Sequence, residues 1–136
     1  MHAEQMLRSH PKGKETKRTG LADCIDACID CAQSCVSCAD ACIAENKGEM
    51  LMKCIRLNQD CGDVCAATAA VLSRGTHTDR NVVSALVRAC QAACAACAAE
   101  CEKHAKDMEH CRICAASCRK AERSCQALLG TAAVAK

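Results

Sequence analysis

Cys24, Cys28, Cys31, Cys35, Cys38 and Cys42 follow one another at alternating steps of four and three residues. That alternation is the repeat of a helical seam buried against partner helices, where most proteins place Leu, Ile and Val. Here the seam is sulfur. The pattern returns at Cys90, Cys94, Cys97 and Cys101, then at Cys111, Cys114, Cys118 and Cys125, and more sparsely at Cys54, Cys61 and Cys65. A chain carrying four such ribbons is constrained to a helix bundle with thiols inside it.

The 136 residues suffice for one domain, and they include 17 cysteines but no Phe, Trp or Tyr. Cysteine at this density in a secreted chain would indicate a disulfide scaffold. The N-terminal MHAEQMLRSHPKGKETKR lacks the apolar core of a secretory signal, so a cytoplasmic location with reduced thiols is expected. The cysteine count is odd, and neighbours three or four apart on one helix have poor bridging geometry. No run of apolar residues is expected to reach membrane-spanning length. The net charge of +2 offers no broad surface for nucleic acid.

Punctuation divides the chain into a polar, basic extension at residues 1–18 and a bundle at 19–136. Arg8, Lys12, Lys14, Lys17 and Arg18, around Pro11 and Gly13, read as a solvated, partly disordered tail. The first helix follows Thr19-Gly20 and runs to about Asn46. The second follows Lys47-Gly48 and ends at Ser73. Thr78 or Asp79 caps the third, and the fourth runs from an Asp107 cap to Gly130. Short connections make sequential helices antiparallel, so the expected fold is an all-α, up-down-up-down four-helix bundle.

Following each seam to its ends gives the bundle two different poles. Leu21, Thr68, Val71, Leu72, Val82, Val83, Leu86, Val87, Leu128 and Leu129 converge at one end as an aliphatic plug. Cys42, Met50, Cys54, Cys101, His104, Met108 and Cys111 converge at the other. Because Cys and Ala fill little volume, the interior is expected to be underpacked until something occupies it.

Thiolate surroundings select soft ions, namely Cu(I), Zn(II) or iron-sulfur clusters. Ligand thiols must be deprotonated, and zinc held by four thiolates leaves a doubly negative site in a low-dielectric interior. Cu(I) at roughly one ion per thiolate leaves the core near neutrality, and sulfur sharing gives a capacity of roughly 11 to 17 ions per chain. Zinc knuckles on turns and the compact iron-sulfur runs are both missing from the sequence. His104, Met108 and Met50 are expected to assist at the donor-rich mouth, where imidazole and thioether bind Cu(I) without first losing a proton. Asn58 stands in the seam between Cys54 and Cys61 as a weak donor or a hydrogen-bonding spacer. His110 flanks Cys111 and ranks lower; His2, His10 and His77 are expected to face solvent.

The ribbon CIDACIDCAQSCVSCADAC, with CQAACAACAAEC and CRICAASCRKAERSC, resembles the bacterial copper storage proteins over about residues 20–130. The resemblance implies Cu(I) held inside a four-helix bundle, ingress at a mouth bearing His and Met, and assembly as a homotetramer. Exported relatives carry a twin-arginine signal, and without one this chain is similar to the cytosolic branch. Its second helix, with three cysteines, departs from the dense pattern of the others. The combined expectation is a non-catalytic cytoplasmic store and detoxifying sink for Cu(I), with no nucleic-acid or membrane partner. The rival readings are a thiolate buffer for zinc or cadmium and an iron-sulfur or redox protein.

Overall fold

A computed structural model describes residues 1–13 and 20–131. Lys14, Lys17, Arg18 and Thr19 lie outside those residues. Among the described residues the elements are all helical: α1 (Ala3–Ser9), α2 (Leu21–Glu45), α3 (Met52–Leu72), α4 (Arg80–His104) and α5 (Glu109–Leu129), with a single 3-10 turn at Gly48–Leu51. Helices α2 to α5 pack in ring order, each against its sequence neighbour, and α5 closes the ring against α2.

The sulfur pairs report the direction of each of the four bundle helices, α2 to α5. Between α2 and α5, Cys24 meets Cys125, Cys31 meets Cys118 and Cys38 meets Cys111. Between α3 and α4, Cys54 meets Cys101, Cys61 meets Cys94 and Cys65 meets Cys90. Residue numbers rise on one helix as they fall on the other, so both pairs are antiparallel. Across the diagonal, Cys28 meets Cys90 and Cys35 meets Cys97, rising together, so α2 and α4 run parallel. This is the up-down-up-down bundle.

Local chemistry explains the ends. Gly20 takes the left-handed conformation at φ 78° before α2, a backbone region that a side chain disfavours. Asn46 ends α2 at φ 53°, in the left-handed region where Asn is among the few tolerated residues. Asp79 caps α4 by accepting from the backbone N–H groups of Asn81 and Val82 at 3.0 and 3.1 Å. The cap of α5 is Met108 and not Asp107: the carbonyl of Met108 accepts from Cys111 and Arg112 at 3.1 and 3.2 Å. No side chain caps α5.

The basic extension is more structured than its composition suggests. Its first half forms α1, and Leu7 is buried in the same core cluster as Leu21, Leu72 and Leu128. His10 is only partly exposed and lies 3.2 Å from the Thr76 hydroxyl in the loop before α4. Leu7, with the partly buried Ala3 one turn before it, docks this short helix over the aliphatic end. The plug itself forms with Val83, Val87, Leu72 and Leu128 buried, whereas Val82 points to solvent at 58% exposure. At the opposite pole Leu51 is fully buried in the 3-10 turn. That pole is therefore not donors alone.

Helices α2 and α4 are long and apolar enough to cross a membrane by length and composition. This overturns the expectation that no run reaches that length. The reason is that Cys and Ala both score as hydrophobic while serving here as a lining. In α2 and α4 the cysteines are buried within the bundle.

Gly62 sits on the buried face of α3, where an added Cβ would meet the Ala32 carbonyl oxygen and Cys35 Cβ, both at 3.6 Å. That is ordinary contact, so the glycine costs helix propensity with no steric return. Gly62→Ala is expected to stabilise the metal-free protein by about 0.5–1 kcal/mol in urea unfolding under reductant. The metal-free chain should already give a helical circular dichroism spectrum, because caps and packing do not call on metal.

Candidate metal centre

All 17 cysteines are free and buried. Their sulfurs lie 3.5 to 4.0 Å apart along the whole bundle, from Cys65–Cys94 at 3.5 Å to Cys38–Cys42 at 4.0 Å. The thiols thus close on one another in van der Waals contact. The underpacked interior expected from small side chains is not found at these levels, because sulfur is large and polarisable enough to fill the axis.

The ligand atoms group into sets within 4.8 Å of one another. One set is Cys31, Cys61, Cys65 and Cys94; the next is Cys31, Cys35, Cys61 and Cys118; the third is Cys35, Cys97, Cys114 and Cys118. Successive sets share an edge of two sulfurs. Cys24, Cys28 and Cys125 form a three-sulfur group toward the aliphatic end. Cys38, Cys42, Cys111 and His110 form a mixed group toward the mouth.

Asn58 explains the sparse seam of α3. It is fully buried, and its carbonyl oxygen accepts from the Cys114 and Cys97 thiols at 3.0 and 3.1 Å. Its amide donates to Cys54 Sγ at 3.5 Å. The residue stands where α3 would otherwise supply a sulfur. Thr68 takes the next vacant seam position beyond Cys65, and its hydroxyl donates to the Val64 carbonyl at 2.7 Å.

The mouth differs from its sequence reading at three places. His110 does not merely flank the seam: Nδ1 is 3.4 Å from Cys38 Sγ and 3.6 Å from Cys111 Sγ. At the start of α5 its side chain leans back toward the helix N-terminus, as helical side chains do, and so reaches the end of the bundle. His104 is nearly buried, and its Nε2 lies 3.3 Å from Glu100 Oε2. Met108 is buried at 3% exposure, whereas Met50 is 52% exposed and its neighbour Leu51 takes the inward place. A one-residue change of phase in a 3-10 turn separates the two. His2 and His77 face solvent as expected.

Acid–base character varies along the ribbon. Burial pushes the Cys111 thiol up to about 12, with charge on Cys42 and Cys54 adding to the effect. Cys42 is raised for the same first reason. Cys54 is held below the ordinary thiol range by hydrogen bonds from Cys101 and then Cys38, against burial, with charge on His104 assisting. Cys118 is pushed up through its hydrogen bonds with Cys114 and then Cys31, and Cys125 through those with Cys24 and then Cys28. Burial would raise the Glu100 carboxyl, but hydrogen bonds from Lys103 and His104 outweigh it and hold the group below the usual range. Lys53 lies a little farther off, with its ammonium 3.8 Å from the same carboxylate.

The copper storage protein family pattern matches residues 17–130. The chain belongs to this family. A copper storage protein of Streptomyces lividans, Ccsp, loaded with 10 copper equivalents, superposes with a TM-score of 0.89 at 50% identity, covering 93% of this chain and 97% of that one. The Cu(I)-bound copper storage protein BsCsp3 superposes at 0.68 with 35% identity, over 76% of this chain and 92% of its own. The cysteine-rich protein YhjQ of Bacillus subtilis, itself uncharacterized, is 35% identical over 89 residues, which is 65% of this chain and 77% of that protein. The family resemblance drawn from the cysteine ribbons therefore holds.

Asn58 offers a direct test of how the copper-free family member satisfies its core. Asn58→Ala removes the acceptor of three buried thiols, those of Cys97, Cys114 and, more distantly, Cys101, and leaves Cys54 without its amide donor. Urea unfolding under reductant should show a loss of about 1–3 kcal/mol, where a passive spacer would show little.

Proposed function

We propose that this chain stores Cu(I) in the cytosol, holding many cuprous ions per chain on thiolates inside the bundle. The observation that carries the reading is the sharing of edges between successive sulfur sets, through Cys31 with Cys61 and Cys35 with Cys118. Sulfur spacing alone does not decide, since a zinc tetrahedron with bonds of about 2.3 Å also has edges of roughly 3.8 Å. Edge sharing does. Separate structural zinc sites use four ligands each and share none, whereas a ribbon of bridging thiolates suits two- and three-coordinate Cu(I).

Charge supports the same reading. Each bound thiol loses its proton, and monovalent copper at roughly one per sulfur leaves the buried core near neutral. Two of the relatives described above carry copper, one of them with 10 equivalents. A further Streptomyces lividans structure, at 54% identity, is described as a cytosolic copper storage protein. Reduced cytosolic thiols fit the requirement that all 17 cysteines stay free.

The ligands proposed are the 17 cysteines, joined at the mouth by His110, with His104 and Met108 beside it. Asn58 either adds a weak oxygen donor or keeps Cys97 and Cys114 oriented. Met50, on the surface, is available only to an ion approaching from outside. The outer face of α2 exposes Ile29, Val36 and Ile43 at seven-residue spacing, which supports association into a homo-oligomer, the tetramer being the form the family resemblance implies.

Anaerobic titration followed by metal analysis tests the central claim. Ten or more Cu(I) per chain is expected; about four of any metal would favour a zinc-type buffer, and one or two coloured centres would favour iron-sulfur chemistry. Cys31→Ala/Cys35→Ala/Cys118→Ala should lower the Cu(I) capacity by at least three ions, because these sulfurs serve two sets each. Unchanged capacity would make the ribbon mere packing.

The mouth makes its own prediction. His110→Ala, or His104→Ala with Met108→Leu, should slow stopped-flow Cu(I) uptake while final capacity stays nearly intact, since the thiolates remain. Slowing caused instead by bulky substitutions at Val83 and Leu86 would place ingress at the other pole.

A further inference from the structure

Glu45 is the last residue of α2, where the helix macrodipole is negative and a carboxylate is unfavourable. The parallel helix α4 ends in Lys103 and His104, as that rule prefers. The position of Glu45 therefore calls for a partner, and it has one on another helix. Glu45 Oε2 lies 2.9 Å from His110 Nε2. The ring's other nitrogen, Nδ1, faces three sulfurs, at 3.4 Å from Cys38, 3.6 Å from Cys111 and 4.0 Å from Cys42.

An ionised carboxylate only accepts hydrogen bonds, and a neutral imidazole carries a single N–H. A hydrogen on Nε2 committed to Glu45 leaves Nδ1 with its lone pair aimed at the mouth sulfurs. Carboxylates that hold a ligand histidine in this way fix its tautomer and its ring orientation. The His104–Glu100 contact at 3.3 Å has the same composition, but Glu100 is shared with Lys103 and Lys53. Glu45 has no such competition among the ion pairs described.

We propose that Glu45 is a positioning residue for copper uptake, holding His110 as the Nε2–H tautomer so that Nδ1 is ready to take Cu(I) at the mouth. The inference rests on the storage reading but has an arm independent of it. In the copper-free full-length protein, nitrogen-15 NMR of the histidine rings should show His110 predominantly as the Nε2–H tautomer. Glu45→Ala should give a mixture, and Glu45→Gln, which keeps an accepting oxygen, should retain the wild-type form.

In stopped-flow Cu(I) uptake, Glu45→Ala should be slowed about 10- to 100-fold, the scale on which outer partners of metal ligands act. Glu45→Gln should be much closer to wild type, with final capacity unchanged in both. The effect of Glu45→Ala should vanish in a His110→Ala background, which an unrelated structural role would not predict. A wild-type tautomer and rate in Glu45→Ala, or an undiminished effect without His110, would overturn the proposal. A wild-type chain that took up few Cu(I) ions while the tautomer results held would defeat the storage reading and leave the Glu45–His110 coupling standing.

Discussion

Everything inside this bundle depends on one distance, the 3.5 to 4.0 Å that separates neighbouring sulfurs. At that spacing neutral thiols are in packing contact and exchange weak hydrogen bonds, so the protein has a coherent core before any metal arrives. The same spacing is the edge of a thiolate coordination polyhedron. A single geometry therefore serves two chemical states, and loading replaces protons by metal ions without calling for new backbone positions. Helix register sets the distance: cysteines at alternating three- and four-residue steps on antiparallel neighbours meet at every level.

Two of the interruptions in the sulfur pattern carry polar chemistry of their own. Asn58 places an amide where α3 would have contributed a thiol, and gives Cys97 and Cys114 an oxygen acceptor. Thr68 turns its hydroxyl back onto Val64 and presents the core with a methyl group beside the aliphatic end. The seam thus passes from hydrocarbon through sulfur, amide and sulfur to imidazole, reading from the Leu128 pole to His110.

The bundle, its direction and its sulfur lining were legible because they follow from periodicity, which one sequence displays completely. The cap of α4 was legible, as Thr78 or Asp79, for a similar reason, since its chemistry is local. What escaped the sequence depends on long-range placement or on local phase. His110 lies one residue off the seam, and its value comes from Cys38 and Glu45, 72 and 65 residues away in the chain. Met50 and Leu51 exchange roles because a 3-10 turn advances the backbone by a different angle per residue than an α-helix. Leu7 is the one buried residue of a charged helix whose neighbouring Met6 stays exposed, and only the aliphatic pole beneath α1 gives it a place to go.

The unlike poles have a consequence for the order of traffic. One pole is capped by Leu21, Leu72, Leu128 and the docked α1, while the ligating side chains other than cysteine gather at the other. An axis loaded only through the mouth proposed above, along shared sulfur edges, would behave as a stack: the ion last taken in would be the first given back. Ions lodged near Cys24, Cys28 and Cys125 would then form a deep reserve, released only after the shallower levels had emptied.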